Sequence, residues 1–146
     1  MYAPVITNTG VVYIADSTNF NAISADGTVK WKVPMLWTGP AAVAENGVIY
    51  VGAASRGRPA DSLYSFDPSG GLRWEFPVDG SANNSRLGPP GPAIGPDGTV
   101  YVVTQGMQGN HEGVVYAIGE KNGGLMKGGW PKFRGTMSND GHASFQ

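Results

Sequence analysis

Three times along the chain a glycine is followed, one residue on, by an apolar-Tyr-apolar triplet. The copies are Gly10-Val11-Val12-Tyr13-Ile14, Gly47-Val48-Ile49-Tyr50-Val51 and Gly98-Thr99-Val100-Tyr101-Val102. Short runs of β-branched and aromatic residues favour pleated strands. In the third copy Pro96-Asp97-Gly98 spells out the turn: proline presets φ, the aspartate side chain can bond its own backbone, and the glycine takes positive φ. Each run is preceded by a Pro-apolar segment: Pro4-Val5-Ile6, Pro40-Ala41-Ala42-Val43 and Pro92-Ala93-Ile94. A recurring strand-turn-strand unit restricts the chain to folds assembled from repeats.

Each copy continues in the same order. A second triplet follows (Asn21-Ala22-Ile23, Tyr64-Ser65-Phe66 and Tyr116-Ala117-Ile118), and then a tryptophan: Trp31, Trp74 and Trp130. The interval from Ile23 to Trp31 equals that from Phe66 to Trp74, whereas Ile118 to Trp130 is longer. The pattern predicts four strands per copy. In the first they cover 5–7, 11–15, 20–24 and 28–33. In the second they cover 41–44, 48–52, 63–67 and 72–76. In the third they cover 93–95, 99–103, 114–118 and a stretch near 125–127 that Gly123, Gly124, Gly128 and Gly129 crowd. The expected fold class is all-β, with three four-stranded antiparallel β-propeller blades in a single domain over 1–146. Blade 1 spans about 3–36, blade 2 about 39–80 and blade 3 about 91–130, followed by an irregular tail over 131–146. The alternative is a β-sandwich of three hairpin pairs, which gives no reason for the repeated order or the closing tryptophan.

Composition narrows the function classes. The formal net charge is −1, so no broad attraction to nucleic acid or an anionic membrane surface is expected. The chain has no cysteine, which excludes disulfides, thiolate catalysis and cysteine-ligated zinc. No apolar run approaches the roughly 18 residues of a membrane span. Met1-Tyr2-Ala3-Pro4 lacks the basic and apolar regions of a signal peptide, so the expectation is a cytoplasmic protein or one whose leader has been removed.

The segments 92–102 (Pro-Ala-Ile-Gly-Pro-Asp-Gly-Thr-Val-Tyr-Val) and 115–118 (Val-Tyr-Ala-Ile) resemble the repeat of quinoprotein-type propellers, named for pyrroloquinoline quinone. The run 63–76, from Leu63-Tyr64-Ser65-Phe66 through Asp67-Pro68-Ser69-Gly70-Gly71 to Leu72-Arg73-Trp74-Glu75-Phe76, is similar to that family's third strand, turn and fourth strand. Gly129-Trp130-Pro131-Lys132-Phe133-Arg134-Gly135 is similar to a Trp-Pro-x-Phe-Arg motif that often borders such propellers. The resemblance implies a propeller and favours a periplasmic or extracellular location. It does not imply a quinone, because most members with these repeats bind none. Quinone and calcium are disfavoured here, since the chain lacks the adjacent cysteine pair of the dehydrogenases and any cluster of carboxylates and amides matching a calcium loop.

Propellers close with about four to eight blades. Three blades leave an apolar face bare at each end, so the chain reads as a partial propeller or as half of an oligomeric ring. Its expected partners are further blades or a second copy through blade faces, and protein or glycan through its loops. The turns of each blade's first hairpin, and of the last hairpin in blades 1 and 2, are tight, whereas the connections over 53–62, 104–113 and 78–91 are long. In an up-and-down blade the long connections share one rim, where binding groups commonly sit. That rim carries the candidate ligand-binding residues: Trp37; Arg56, Arg58 and Asp61; Asn83, Asn84 and Arg86; and Gln105, Asn110, His111 and Glu112. Amides, arginines and a tryptophan suit a saccharide or a peptide, and the same residues would also serve as plain solvated loop. His111-Glu112 lacks a third group for metal or acid–base work. No catalytic residue is assigned. The function read from the chain is a non-catalytic binding or scaffold module, with part of a quinone-dependent dehydrogenase as the alternative.

Overall fold

The computed structural model describes residues 3–36, 38–54, 61–78, 86–87, 91–105, 113–128 and 131–132. Among these residues every regular element is a β-strand, and all pairings are antiparallel. Sheet one runs β1 (Val5–Ile6), β2 (Val12–Ala15), β3 (Asn19–Ile23), β4 (Val29–Pro34) in spatial order. Sheet two repeats the meander with β5 (Ala41–Val43), β6 (Ile49–Ala54), β7 (Asp61–Phe66) and β8 (Leu72–Pro77). Sheet three contains β10 (Ala93–Ile94), β11 (Val100–Gln105) and β12 (Val115–Ile118), and the short β9 (Arg86–Leu87) pairs with the far end of β11. Consecutive strands thus form three separate sheets rather than the two faces of one sandwich.

The sheets are built alike. The turn between the first two strands carries the same two hydrogen bonds in each. Gly10 N–H donates to the Thr7 carbonyl, Gly47 to Ala44 and Gly98 to Gly95, while Thr7, Ala44 and Gly95 donate across to Val11, Val48 and Thr99. All three glycines have positive φ, as Gly98 was expected to have. Cross-strand register aligns the repeated residues. Val5, Tyr13, Ala22 and Trp31 form one row in sheet one, and Ala42, Tyr50, Ser65 and Trp74 form its counterpart in sheet two. In sheet three Ala93, Tyr101 and Ala117 hold the same register. A shift in register next to the tryptophan recurs too, between Ala22 and Ile23 and between Ser65 and Phe66.

Burial explains why the middle sheet reads as continuous apolar runs. Alternate residues of a strand point to opposite faces. Ala41, Val43, Ile49, Val51, Ala53 and Phe66 pack against Val5, Tyr13, Phe20 and Ala22 of sheet one. The intervening Ala42, Tyr50 and Leu63 pack against Ile94, Val100 and Val102 of sheet three. We call the tyrosine-bearing side of each sheet its front and the opposite side its back. The front of sheet one therefore meets the back of sheet two, and the front of sheet two meets the back of sheet three. Full burial of an aliphatic or Phe-sized side chain contributes about 1.5–3 kcal/mol, so these two layers supply much of the favourable free energy.

Sheet three departs from expectation. The strand predicted near 125–127 is not formed beside β12. Leu125 instead bridges to Ala44, and Met126 N–H donates to the Val43 carbonyl. Gly123, Gly124 and Gly128 all have positive φ, a geometry that interrupts a pleated ladder and turns the chain back along the edge of β5. Pro131 accepts from Val43 N–H, and Lys132 bridges to Ala42 farther along the same edge. The returning segment is anchored by Asn122, which is 1% exposed. Its amide donates to Tyr50 Oη and to the Gly98 carbonyl, each at 2.9 Å, and its Oδ1 accepts from Gly124 N–H at 2.9 Å. One side chain thereby joins sheet two, the first turn of sheet three and the glycine-rich return.

Asn122→Leu keeps the branching of the side chain, at a larger volume, but leaves these buried partners unpaired. Each unsatisfied group costs about 1–3 kcal/mol. The variant is expected to unfold at a lower denaturant midpoint with an unchanged slope, and an unmoved midpoint would show that the network does not stabilise the fold.

Candidate functional site

Antiparallel meanders fix which connections share a side. The turns between first and second strands and between third and fourth strands lie on one edge of the stack. The connections between second and third strands, and from one sheet to the next, lie on the opposite rim. The candidate rim residues divide sharply. Trp37, Arg56, Arg58, Asn83, Asn84, Asn110, His111 and Glu112 lie outside the described residues, as do Trp130 and the Trp-Pro-x-Phe-Arg motif apart from Pro131 and Lys132. Asp61, Arg86 and Gln105 are placed, and the fold brings them together. Arg86 pairs with Gln105 in the ladder between β9 and β11. The Asp61 carboxylate accepts from Leu87 N–H at 2.9 Å, and its carbonyl accepts from Val78 N–H. Asp61 thus has a structural task, pinning β9 across the rims of sheets two and three.

A second feature of this region was not anticipated from the sequence. A cleft of about 340 Å³ opens where the end of β4 passes over β7 and β8. Pro34, Met35 and Leu36 form one wall, and Tyr64, Leu72 and Glu75 line the other. Tyr64 and Glu75 are direct cross-strand partners. Glu75 Oε1 accepts from Ser62 Oγ at 2.8 Å and from Tyr64 Oη at 3.2 Å. The Tyr64 ring stacks on Phe66, with centroids 6.3 Å apart and planes at 18°. The cleft volume is at the lower end of small-ligand sites. Flat aromatic surface beside an oriented carboxylate can hold the apolar face of a sugar ring while accepting from its hydroxyls. Register over two strands brings Tyr64 and Glu75 together, and that is not readable from either residue's neighbours in the chain.

The repeated tryptophans act between sheets. Trp31 lies against Tyr13, with centroids at 5.6 Å, and its Nε1 donates to the Pro68 carbonyl of sheet two at 3.0 Å. Trp74 lies against Tyr50 at 5.8 Å, and its Nε1 donates at 2.6 Å to Glu120, which follows β12. Glu120 also pairs with Arg73 at 3.2 Å. Both indoles are thus occupied in holding one sheet to the next.

The aspartates at the turns are likewise structural. Asp26 and Asp97 accept from the backbone N–H and hydroxyl of Thr28 and Thr99, and Asp67 accepts from Ser69 and Gly71. Asp16 takes the N–H groups of Thr18 and Asn19 in the turn between β2 and β3. Among the described residues no group of three or more His, Cys, Asp or Glu side chains could hold a metal ion, and no helix is long and apolar enough to cross a membrane.

Compared with known proteins, the chain matches no protein-family model and no curated protein.

Hydrogen bonding to the ionised form lowers the pKa of all four turn carboxylates. The Thr18, Thr28 and Thr99 backbone N–H groups dominate for Asp16, Asp26 and Asp97, and the Ser69 hydroxyl dominates for Asp67. A carboxylate whose pKa is lower folded than unfolded stabilises the fold above its unfolded value of about 3.9, and that contribution is lost as pH falls through the folded value. The melting temperature is therefore expected to hold steady from neutral pH to about 5 and to fall below about 4. Asp67→Asn should lessen the acid slope, and an unchanged slope would count against this assignment.

Proposed function

We propose that the chain is a non-catalytic β-propeller module of the quinoprotein-like repeat type. It binds or scaffolds protein or carbohydrate through its rim, and further blades or another copy of the chain complete its ring. The architecture is supported by the shared turn hydrogen bonds, the shared register of Tyr13, Tyr50 and Tyr101, and the tryptophans that link successive sheets. The observation that carries the binding reading is the cleft beside Tyr64 and Glu75, whose lining runs from Leu36 and Ala54 at the rim to Gly70 and Leu72 near the β7–β8 turn. A rigid layered scaffold holding variable connections on one side is a common way of presenting a binding surface. The carbohydrate form of the reading rests on the chemistry of that cleft, since aromatic stacking and a carboxylate acceptor answer the two surfaces of a sugar.

Titration with a panel of neutral saccharides, followed by intrinsic tryptophan fluorescence, tests the proposal. Trp31 lies next to Phe66, with ring centroids at 6.4 Å, and so reports on the cleft. At least one saccharide is expected to shift the emission, and Tyr64→Ala and Glu75→Gln should weaken its apparent affinity about tenfold, which corresponds to about 1.4 kcal/mol. If no sugar perturbs the signal, the carbohydrate form of the reading fails. Titration with pyrroloquinoline quinone and calcium should leave the absorbance of the mixture additive, and a saturable new band would favour part of a quinone-dependent dehydrogenase instead.

A further inference from the structure

The two internal interfaces are the same interface made twice, and the chain exposes one unused half of it at each end. The back row Val43, Ile49 and Phe66 of sheet two is almost fully buried by sheet one. In its counterpart in sheet three, Ile94 and Val100 are buried by sheet two and Ile118 packs partly buried beside them. The corresponding row of sheet one, Ile6, Val12 and Ile23, is in register but only partly covered, with Ile6 37% exposed. At the other end the front of sheet three carries Tyr101, Val103 and Val115. Tyr13 and Tyr50 are 4% and 0% exposed, whereas Tyr101 is 40% exposed, Val103 48% and Val115 65%.

The turns repeat the contrast. A Cβ added to Gly70 would strike the Trp31 ring at 2.8 Å, because the indole of the preceding sheet sits against that turn. Gly27 closes the equivalent turn of sheet one, with the same pair of backbone hydrogen bonds, and a Cβ there would meet nothing within 4 Å. The Gly27 turn of sheet one thus has open space where the Gly70 turn meets an indole.

We propose that a second copy of this chain supplies that sheet. The Tyr101 front of one copy docks on the Ile6, Val12 and Ile23 back of the other, and the reverse contact closes a two-copy ring of six sheets. The argument is continuity with interfaces already formed inside the chain, whose two halves are both present and complementary on one molecule. Front-to-back contact is heterologous, so a given face meets a different face and never itself. Among the described residues sheet three offers three strands at this position without a fourth beside β12, so the contact between copies is smaller than the internal ones and depends on concentration. The proposal rests on the stacked-repeat part of the proposed function and not on its ligand.

Light scattering coupled to size exclusion tests it, with circular dichroism to confirm that each variant is folded. The wild-type chain is expected to show the mass of two copies, shifting to one on dilution. Tyr101→Glu on the front and Ile6→Glu on the back should each raise the dissociation constant at least tenfold, and Val115→Glu, at a more exposed position, should repeat the front effect. Mixing Tyr101→Glu with Ile6→Glu restores one intact front-to-back contact and should recover a dimer. Three results would overturn the proposal: a folded wild-type monomer at all concentrations, dimers that survive either face substitution, or a mass that grows without limit. A monomer that still binds a saccharide would leave the rim reading standing, and a dimer that binds none would leave this one.

Discussion

Everything in this fold depends on a strand that has no solvent side. Ile49, Tyr50 and Val51 are consecutive and all fully buried, so β6 cannot choose a face by exposing polar residues to water. The choice is made by shape. Tyr50 reaches Trp74 on the front, while Ile49 and Val51 join the cluster around Tyr13 and Phe20 on the back. A slip of one residue would send the tyrosine toward sheet one and the smaller aliphatics toward sheet three. The turn before β6 prevents the slip, since the bonds from Ala44 N–H to the Val48 carbonyl and from Gly47 N–H to the Ala44 carbonyl fix where the strand begins. Turn chemistry and layer packing are therefore two views of one requirement.

Linking the layers takes more than apolar contact, because an apolar interface alone permits sliding. Trp31 and Trp74 each end their row with a donor that must be satisfied near the next sheet. Trp31 finds the Pro68 carbonyl, a fixed point on a turn closed by Gly70. Trp74 meets a different solution, the Glu120 carboxylate held by Arg73. The substitution follows from the third repeat itself, whose chain after β12 does not form the tight turn of the second. A carboxylate on a side chain reaches the indole where a turn carbonyl would not. The charge is then balanced by an arginine from the same strand as the tryptophan, which keeps the whole contact on two elements.

The sequence made the strands and turns legible wherever local chemistry and layer packing agree. Eleven of the strands fall where alternating punctuation and β-branched runs put them, and the turn glycines take the backbone geometry their position demands. Legibility ended where a tertiary contact overrides local preference. Leu125 and Met126 are apolar residues near the expected fourth strand, but the glycines around them permit a reversal that pairs them with β5. β9 was invisible because two residues carry no periodicity, and its place is set by Asp61 from another strand. The cleft was hidden for the same reason, since Tyr64 and Glu75 meet only after register is fixed. Of the candidate rim residues, Asp61 is described with its side chain, and its role is structural.

The reversal at 123–128 has a consequence for how the repeats can be joined to anything else. The first strand of a sheet with a bare outer edge is a template for unwanted pairing. In sheet two that edge is closed by Leu125, Met126, Pro131 and Lys132, so β5 is bonded on both sides. Among the described residues β12 has no strand on its outer side, and its flanking Val114 and Val115 are well exposed. The chain has in effect moved a strand's worth of hydrogen bonding from the last sheet to the middle one. Among the described residues the middle sheet gains a closed inner edge, and the last sheet has an exposed apolar front and an open margin together at one end of the stack. A second copy docking as proposed above would meet the stack at its ends and leave its central layers undisturbed.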